Sequence, residues 1–271
     1  MTDWLAVCRD AAAAVGRVLV DLPTRVEREP RVGDGAGGDE TTAVDAAAEA
    51  AVVARLEEAA AGTGFTLVSE ELGERVFGDG GDGLRIVCDP IDGSLNAKRG
   101  IPFFSLSLAV ASGPRMEDVE LGFVHDYGSG EEWVARRGEG AFLDGEPLAG
   151  PGPKEHIEIL SFEATRTELV AERVAAMVGL AYRTRIMGSL ALSLCHLAAG
   201  RVDAVVSLKP ARSVDIAAAQ LLVRERGLAI DLPEDPPFGR APLDLAGRSR
   251  VVAAATPALC AELYARLTAS S

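Results

Sequence analysis

The sequence predicts a layered sandwich of α+β and α/β character, with an α+β half over residues 1–150 and an α/β half over residues 151–271. Three observations point to it. The first half has two segments with helical apolar spacing, then strand-like runs separated by glycine turns. The second half alternates strand-like and helix-like segments, the rhythm of a sheet with helices packed on it. Between them, residues 147–153 (Pro-Leu-Ala-Gly-Pro-Gly-Pro) form the only linker-like stretch inside the chain.

Residues 4–19 place Trp4, Val7, Cys8, Ala11, Ala12, Val15, Val18 and Leu19 on a helical period. A second helix is expected over 42–61, with Val44, Ala48, Val52 and Leu56 on one face. Residues 33–40, rich in glycine and without an apolar anchor, read as a mobile loop. A short strand at 65–68 runs into Ser69-Glu70-Glu71, and the glycine-rich stretch 78–83 precedes an apolar strand at 84–88. Strands at 103–110, 119–126, 131–136 and 140–143 read as an antiparallel meander. The second half gives strands at 157–161, 181–186, 202–207 and 250–255. Its helices fall at 167–178, 189–199, 215–226 and 257–267, and Gly200 and Gly227 close two of them.

The chain has 271 residues, 48% apolar and 25% charged, with a net charge of −14. That balance argues against nucleic acid or an anionic membrane as the main partner. It leaves a phosphate substrate open, because bound divalent metal inverts the field of an acidic site. Cys8, Cys88, Cys195 and Cys260 form no Cys-x-x-Cys pair and sit in apolar segments, as buried thiols of a reducing compartment do. The first residues lack a basic region, and no 18-residue apolar span is found, so a cytoplasmic location is expected.

The most informative stretch is Val87-Cys-Asp-Pro-Ile-Asp-Gly-Ser-Leu-Asn96. Asp89 and Asp92 stand three apart where an apolar strand ends, Pro90 keeps Asp89 out of a helix, and Gly93-Ser94 opens a turn. Two carboxylates beside free backbone N–H groups suit a hard cation together with a phosphate. Other acids have structural readings of their own. Glu70-Glu71 reads as a surface turn unless it meets Asp89. Asp215 reads as a helix-start acid favoured by the dipole, and Thr42-x-x-Asp45 as a near capping box. Gly33-x-Gly35-x-x-Gly38 and Gly78-x-Gly80-x-x-Gly83 match a dinucleotide pattern but lack its strand–helix context, and Asp34, Asp79 and Asp82 would repel a pyrophosphate. His125, His156 and His196 show no metal spacing, and no nucleophile elbow is present.

Taken together, these segments resemble the inositol monophosphatase superfamily, nearest in look to its archaeal-type dual inositol monophosphatase/fructose-1,6-bisphosphatases. Asp89-Pro-Ile-Asp-Gly-Ser94 is similar to the family's first motif, with Glu70-Glu71 about twenty residues upstream. Val214-Asp-Ile-Ala-Ala218 is similar to its second, with Val for Trp. Arg185-Ile-Met-Gly-Ser-Leu-Ala191 and Gly200-Arg-Val-Asp-Ala204 also match, so the likeness spans nearly the whole chain in order. The resemblance implies an αβαβα sugar-phosphatase fold, usually a homodimer, and lithium-sensitive, Mg²⁺-dependent hydrolysis of phosphate monoesters with two or three ions per site.

By resemblance, Glu70, Asp89 and the Ile91 carbonyl would hold one ion. Asp89, Asp92 and Asp215 would hold a second, and Glu70 would serve a weaker third through water. Asp45 and Ser94 would orient the attacking water, with Glu70 also in the catalytic set. Asp92, Gly93, Ser94, Gly188, Ser189, Arg185 and Arg212 would contact substrate.

Two departures bear on specificity. The family's sugar-contacting Glu, seven residues before the last metal Asp, is here Leu208, and Ser94 replaces Thr. The segment from Val206 to Asp215 resembles instead the archaeal-type dual enzymes, and Ser94 the fructose bisphosphatase version; Arg166, Arg183, Arg185, Lys209 and Arg212, with Tyr182, are candidates to bind a second phosphate. The expected substrates are inositol 1-phosphate and fructose 1,6-bisphosphate. The alternatives are a 3′-phosphoadenosine 5′-phosphate phosphatase or, from another class, an RNA polymerase accessory factor.

Overall fold

The computed structural model describes residues 2–59, 63–79, 83–154, 156–163, 166–235 and 237–269. It begins with α1 (Trp4–Asp21), a short α2 (Arg25–Arg28), a hairpin of β1 (Arg31–Asp34) and β2 (Glu40–Thr42), and α3 (Ala43–Ala59). An eight-stranded sheet follows, made of β3 (Phe65–Ser69), β4 (Gly73–Phe77), β5 (Arg85–Asp92), β6 (Ser105–Ala111), β7 (Val119–Asp126), β8 (Glu132–Arg136), β9 (Gly140–Leu143) and β10 (Glu146–Pro147). The short α4 (Ser94–Arg99) lies between β5 and β6. The second half carries β11 (Ile157–Glu163), α5 (Thr167–Arg173), β12 (Ala181–Arg185), α6 (Leu190–Ala198), β13 (Ala204–Ser207), α7 (Ser213–Glu225), β14 (Ala229–Asp231), β15 (Val252–Ala254) and α8 (Pro257–Thr268).

The large sheet runs β10-β9-β8-β7-β6-β5-β3-β4, and the small one β12-β11-β13-β15-β14. From β6 to β9 the large sheet is the expected antiparallel meander, which β5 and the unexpected β10 extend at either end. Only β3 and β5 pair in parallel within it. Alternation along the strands separates two cores. On β6, Leu106, Leu108 and Val110 face Val7, Val15, Val44 and Val52 of α1 and α3. Ala109 and Ala111 face a second core built on α6 and α7, which also takes in Val205 and Ala253 of the small sheet. The far face of the small sheet packs Leu160, Val206 and Val252 against Leu259, Leu263 and Leu267 of α8. The layer order is therefore αβαβα.

The α6–α7 layer lies between two sheets, so it is apolar nearly all round, and α7 buries every residue from Ile216 to Val223. Small residues let it approach closely. A Cβ at Gly122 of β7 would come within 2.3 Å of the Ala218 carbonyl oxygen, a backbone atom that cannot rotate away. Gly122→Ala is therefore expected to destabilise the fold by about 1–3 kcal/mol through overpacking. A denaturant midpoint unchanged from wild type would contradict this packing.

The sequence reading differs from the structure in several places. Residues 33–40 are not a free loop: they complete the β1–β2 hairpin, and the N–H groups of Ala36 and Gly37 donate to the carbonyls of Glu71 and Glu70 at 3.0 and 2.8 Å. Their glycines serve a close tertiary approach, which composition does not reveal. β4 and β14 were not expected, both being short edge strands. The helix expected over 167–178 is α5 followed by a 3₁₀ turn at Val174–Met177. The end of the helix expected over 42–61, and residues 80–82 of the second glycine-rich stretch, lie outside the described residues. All four cysteines are buried and free. No helix among the described residues is long and apolar enough to cross a membrane.

Candidate metal centre

Parallel pairing of β3 with β5 sets Ser69 opposite Cys88, so the residues that follow, Glu70 just past the end of β3 and Asp89 within β5, come side by side. Asp89 and Asp92 are an odd number of residues apart and would point to opposite faces of a regular strand. They do not, because β5 is bulged. Asp89 pairs with Ser107 and Asp92 with Ser105, so two residues of β5, Pro90 and Ile91, oppose the single Leu106 of β6. The extra residue sits at Pro90-Ile91, where Pro90 has no N–H to give the ladder. It turns both carboxylates toward one side while Ile91 fills the opposite core.

At Gly93 the backbone adopts φ +93°, and a Cβ there would meet the Gly188 and Phe103 carbonyls at 3.0 and 3.1 Å. Glycine is required at this position both for its angle and for the space. Gly93 caps α4 without a side chain, which leaves the first-turn N–H groups uncapped at the cleft. Asp215, expected as a dipole-favoured acid, does cap: its Oδ2 accepts from the Arg212 N–H at 2.7 Å in the first turn of α7.

These elements enclose a cleft of about 500 Å³, lined among others by Asp45, Glu70, Asp89, Asp92, Gly93, Ser94, Gly188, Arg212 and Asp215. Glu70, Asp89 and Asp215 each present an oxygen within 4.8 Å of the others. Asp89 is buried, with one oxygen accepting from the Ile91 N–H at 3.0 Å. Asp92 accepts from Ser189 Oγ at 2.5 Å and the Ala191 N–H at 2.8 Å. Ser94 Oγ donates to the Ile91 carbonyl at 3.2 Å.

Asp45 makes the bonds of its capping reading and also lines the cleft. One oxygen accepts from the N–H and hydroxyl of Thr42, the capping bonds, while Oδ1 is buried without a protein partner and Lys98 Nζ lies 4.0 Å from Oδ2. Of the Glu70-Glu71 pair, only Glu70 joins the cluster; Glu71 is held by the Thr41 hydroxyl.

Crowded carboxylates of this kind resist ionisation. Burial pushes Glu70 up to about 7, against the opposing pull of Arg212 and with Asp215 and Glu71 adding to the rise. Burial raises Asp92 to about 7 as well, although its bond from Ser189 works the other way. Asp89 is raised well above the usual carboxylate range by burial and by Glu70, Asp92 and Asp215. A divalent cation removes that penalty. The donors are all oxygen, without sulfur or imidazole, and fit a hard ion such as Mg²⁺ or Ca²⁺ rather than a soft one.

Several residues expected in the cleft are elsewhere. Arg185 closes the edge strand β12, is exposed, donates to the Thr184 carbonyl and does not line the cleft. The chain enters the site only after it, at Gly188. Arg166, Arg183 and Tyr182 are likewise exposed outside the lining; Arg183 stacks over Tyr182 and lies 3.6 Å from Glu158. Leu208 does not face the substrate space at all, because it is buried in the core beneath α8, and its neighbour Ser207 lines the cleft. Lys209, Arg212 and Gly188 line the cleft, whereas the Ser189 hydroxyl, expected to contact substrate, donates to Asp92.

Two residues escaped sequence reading. Glu163 ends β11 at the cleft, where its carboxylate accepts from Ser161, Ser193 and the Gly188 N–H and is raised by burial. No motif or spacing in the sequence marked it. Arg248 reaches the lining from a loop far along the chain.

Two mixed sheets interleaved with three helix layers, with a carboxylate cluster at the strand ends, define the layered sugar-phosphatase class of fold. The whole chain, residues 1–271, matches the inositol monophosphatase family. It is 34% identical over 233 residues to a fructose-1,6-bisphosphatase/inositol-1-monophosphatase of Methanothermobacter thermautotrophicus, covering 83% of this chain and 82% of the relative. It is also 32% identical over 240 residues to the Nus factor SuhB of Salmonella typhimurium, covering 84% of each. Among solved structures, an inositol monophosphatase–fructose 1,6-bisphosphatase shares the fold at a TM-score of 0.83 and 24% identity, over 97% of this chain and 99% of the other. The chain belongs to the inositol monophosphatase family and is a phosphoric monoester hydrolase.

Proposed function

We propose that this protein is a Mg²⁺-dependent phosphatase of small sugar or inositol phosphates, with inositol 1-phosphate and fructose 1,6-bisphosphate as its first substrates. The observation that carries this reading is the bulge that turns Asp89 and Asp92 to one side, beside Glu70 and Asp215. Glu70, Asp89, Asp92, Asp215 and the Ile91 carbonyl would hold two or three ions. Bound metal supplies Lewis acidity to the phosphoryl oxygens and a lowered pKa for water.

The remaining work falls to the chain. Asp45, through its unpartnered Oδ1, accepts the hydrogen bond that orients the attacking water, with Ser94 Oγ as the second orienting group. The uncapped first turn of α4 offers N–H groups to the phosphate, with Gly93 required for the approach. Residues 1–150 carry most of the metal ligands and the phosphate-facing turn of α4, and residues 151–271 supply Asp215 and further substrate-recognition groups. A homodimer belongs to this reading, supported by exposed Tyr182 on edge strand β12 and exposed Val178 and Ile186 just before and after it. A cytoplasmic location fits the four free cysteines.

The similarity to a Nus factor supports a second role as an accessory to transcription, compatible with an intact active site. Phosphate release across a panel of phosphomonoesters, with and without Mg²⁺ and Li⁺, tests the enzyme. Turnover is expected only with Mg²⁺ and is expected to fall with Li⁺. No hydrolysis of any ester in Mg²⁺ would end this proposal.

A further inference from the structure

Arg212 is a cation set inside the acidic cluster. Its side chain is 11% exposed, and Nη2 donates to Glu70 Oε1. Nη1 donates to Asp39 Oδ2 at 3.1 Å and to the Gly37 carbonyl at 3.4 Å, and Nε lies 3.8 Å from Asp215 Oδ1. Two of the three acids whose oxygens converge within 4.8 Å are thus also partners of one guanidinium.

We propose that Arg212 is a built-in counter-ion that competes with the divalent cation for Glu70 and Asp215, so that it lowers metal affinity and moves off Glu70 as metal binds. This rests on reading the cluster as the metal site. An arginine keeps its charge at any working pH, so it cannot yield to a metal by losing a proton. It must either shift or remain as a like charge beside the ion. The geometry provides somewhere to shift: Asp39 and the Gly37 carbonyl, at the β1–β2 turn on the cleft wall, already hold Nη1.

The same turn is packed onto the guanidinium, since a Cβ at Gly37 would come within 2.4 Å of Nη1. Movement of Arg212 therefore carries over to the hairpin, whose Gly37 N–H is bonded to the Glu70 carbonyl. Metal loading, the position of the turn and the presence of a free guanidinium in the cleft become one linked equilibrium. Without metal, the arginine offsets repulsion among the acids; with metal, it becomes available to an anionic substrate group.

The test uses the full chain. Calorimetric titration with MgCl₂ is run first on the wild type, then on Arg212→Gln and Arg212→Lys. In parallel, the Arg212 side-chain ¹⁵N resonance, assigned by its absence from the Arg212→Lys spectrum, is followed as Mg²⁺ is added to the wild type. Arg212→Gln is expected to bind Mg²⁺ on the order of tenfold more tightly, with Arg212→Lys between the two. The wild-type Nε–Hε signal is expected to move and to exchange faster with solvent as metal saturates. Equal or weaker Mg²⁺ binding by Arg212→Gln, or an Arg212 signal unmoved at saturation, overturns the proposal. If Arg212→Gln fails to fold, the wild-type resonance decides alone. A wild type that binds no Mg²⁺ overturns the metal-site reading itself, which the first titration distinguishes from failure of the counter-ion.

Discussion

Asp89→Asn is expected to lower kcat/KM with Mg²⁺ by at least about 10³-fold while leaving the fold intact. Asp89 lies at the centre of the cluster, where burial, Glu70, Asp92 and Asp215 all oppose its charge, and it is the acid that gains most from a bound cation. Asparagine has nearly the same shape and keeps an oxygen for the Ile91 N–H, but it cannot supply the negative charge. Lewis-acid stabilisation by a correctly held metal is worth several kcal/mol, and each ~1.4 kcal/mol is tenfold in rate. Removing a buried carboxylate that is costly to ionise leaves the metal-free protein as stable as wild type, or more stable, above neutral pH. The paired measurement is steady-state phosphate release and a thermal melt at pH 8. A variant within tenfold of wild type would remove Asp89 from the metal site.

The second large effect is a pH-dependent stability that metal abolishes. Burial pushes Glu70 and Asp92 up to about 7, above the values of 4.5 and 3.8 for the free groups, and raises Asp89 well above the usual carboxylate range. Between those limits the native state binds more protons than the unfolded chain, so stability falls as pH rises. Each such group contributes up to ~1.4 kcal/mol per pH unit across its window. The metal-free protein is thus expected to melt several degrees lower at pH 8 than at pH 5. Mg²⁺ binds the ionised cluster, so it raises the melting temperature more at pH 8 than at pH 5; at 100 times its Kd at a given pH it stabilises the fold by about 2.7 kcal/mol. Melting curves in EDTA and in saturating MgCl₂ across this range give the answer. Metal-free stability that is flat or rising from pH 5 to pH 8 would mean that these acids are not the buried, mutually opposed group described here.

Much of this site was legible in the order of residues. Asp89-Pro-Ile-Asp-Gly-Ser94 announced two acids at a strand end, and the upstream Glu70 and downstream Asp215 stood at the spacing of a known family. What a lone sequence does not carry is the direction of each side chain. Asp89 and Asp92 share a side only because of a bulge, and Leu208 fills a core although its position suggested substrate contact. Arg185 belonged to a matching segment yet lies exposed on an edge strand, while Arg248 came into the cleft with no signal at all. The 33–40 segment looked unanchored because its partners, the Glu70 and Glu71 carbonyls, are backbone groups distant in sequence.

By itself, then, the sequence determined which acids are candidates to hold metal and the alternation of helices and strands, since periodicity and short motifs are local properties of the chain. The tertiary structure decided which of those acids converge, which of the basic residues reach them, and that Arg212 lies among them. These depend on strand pairing, on one bulge and on the close approach of two layers, and such contacts between distant residues leave no pattern in a single sequence.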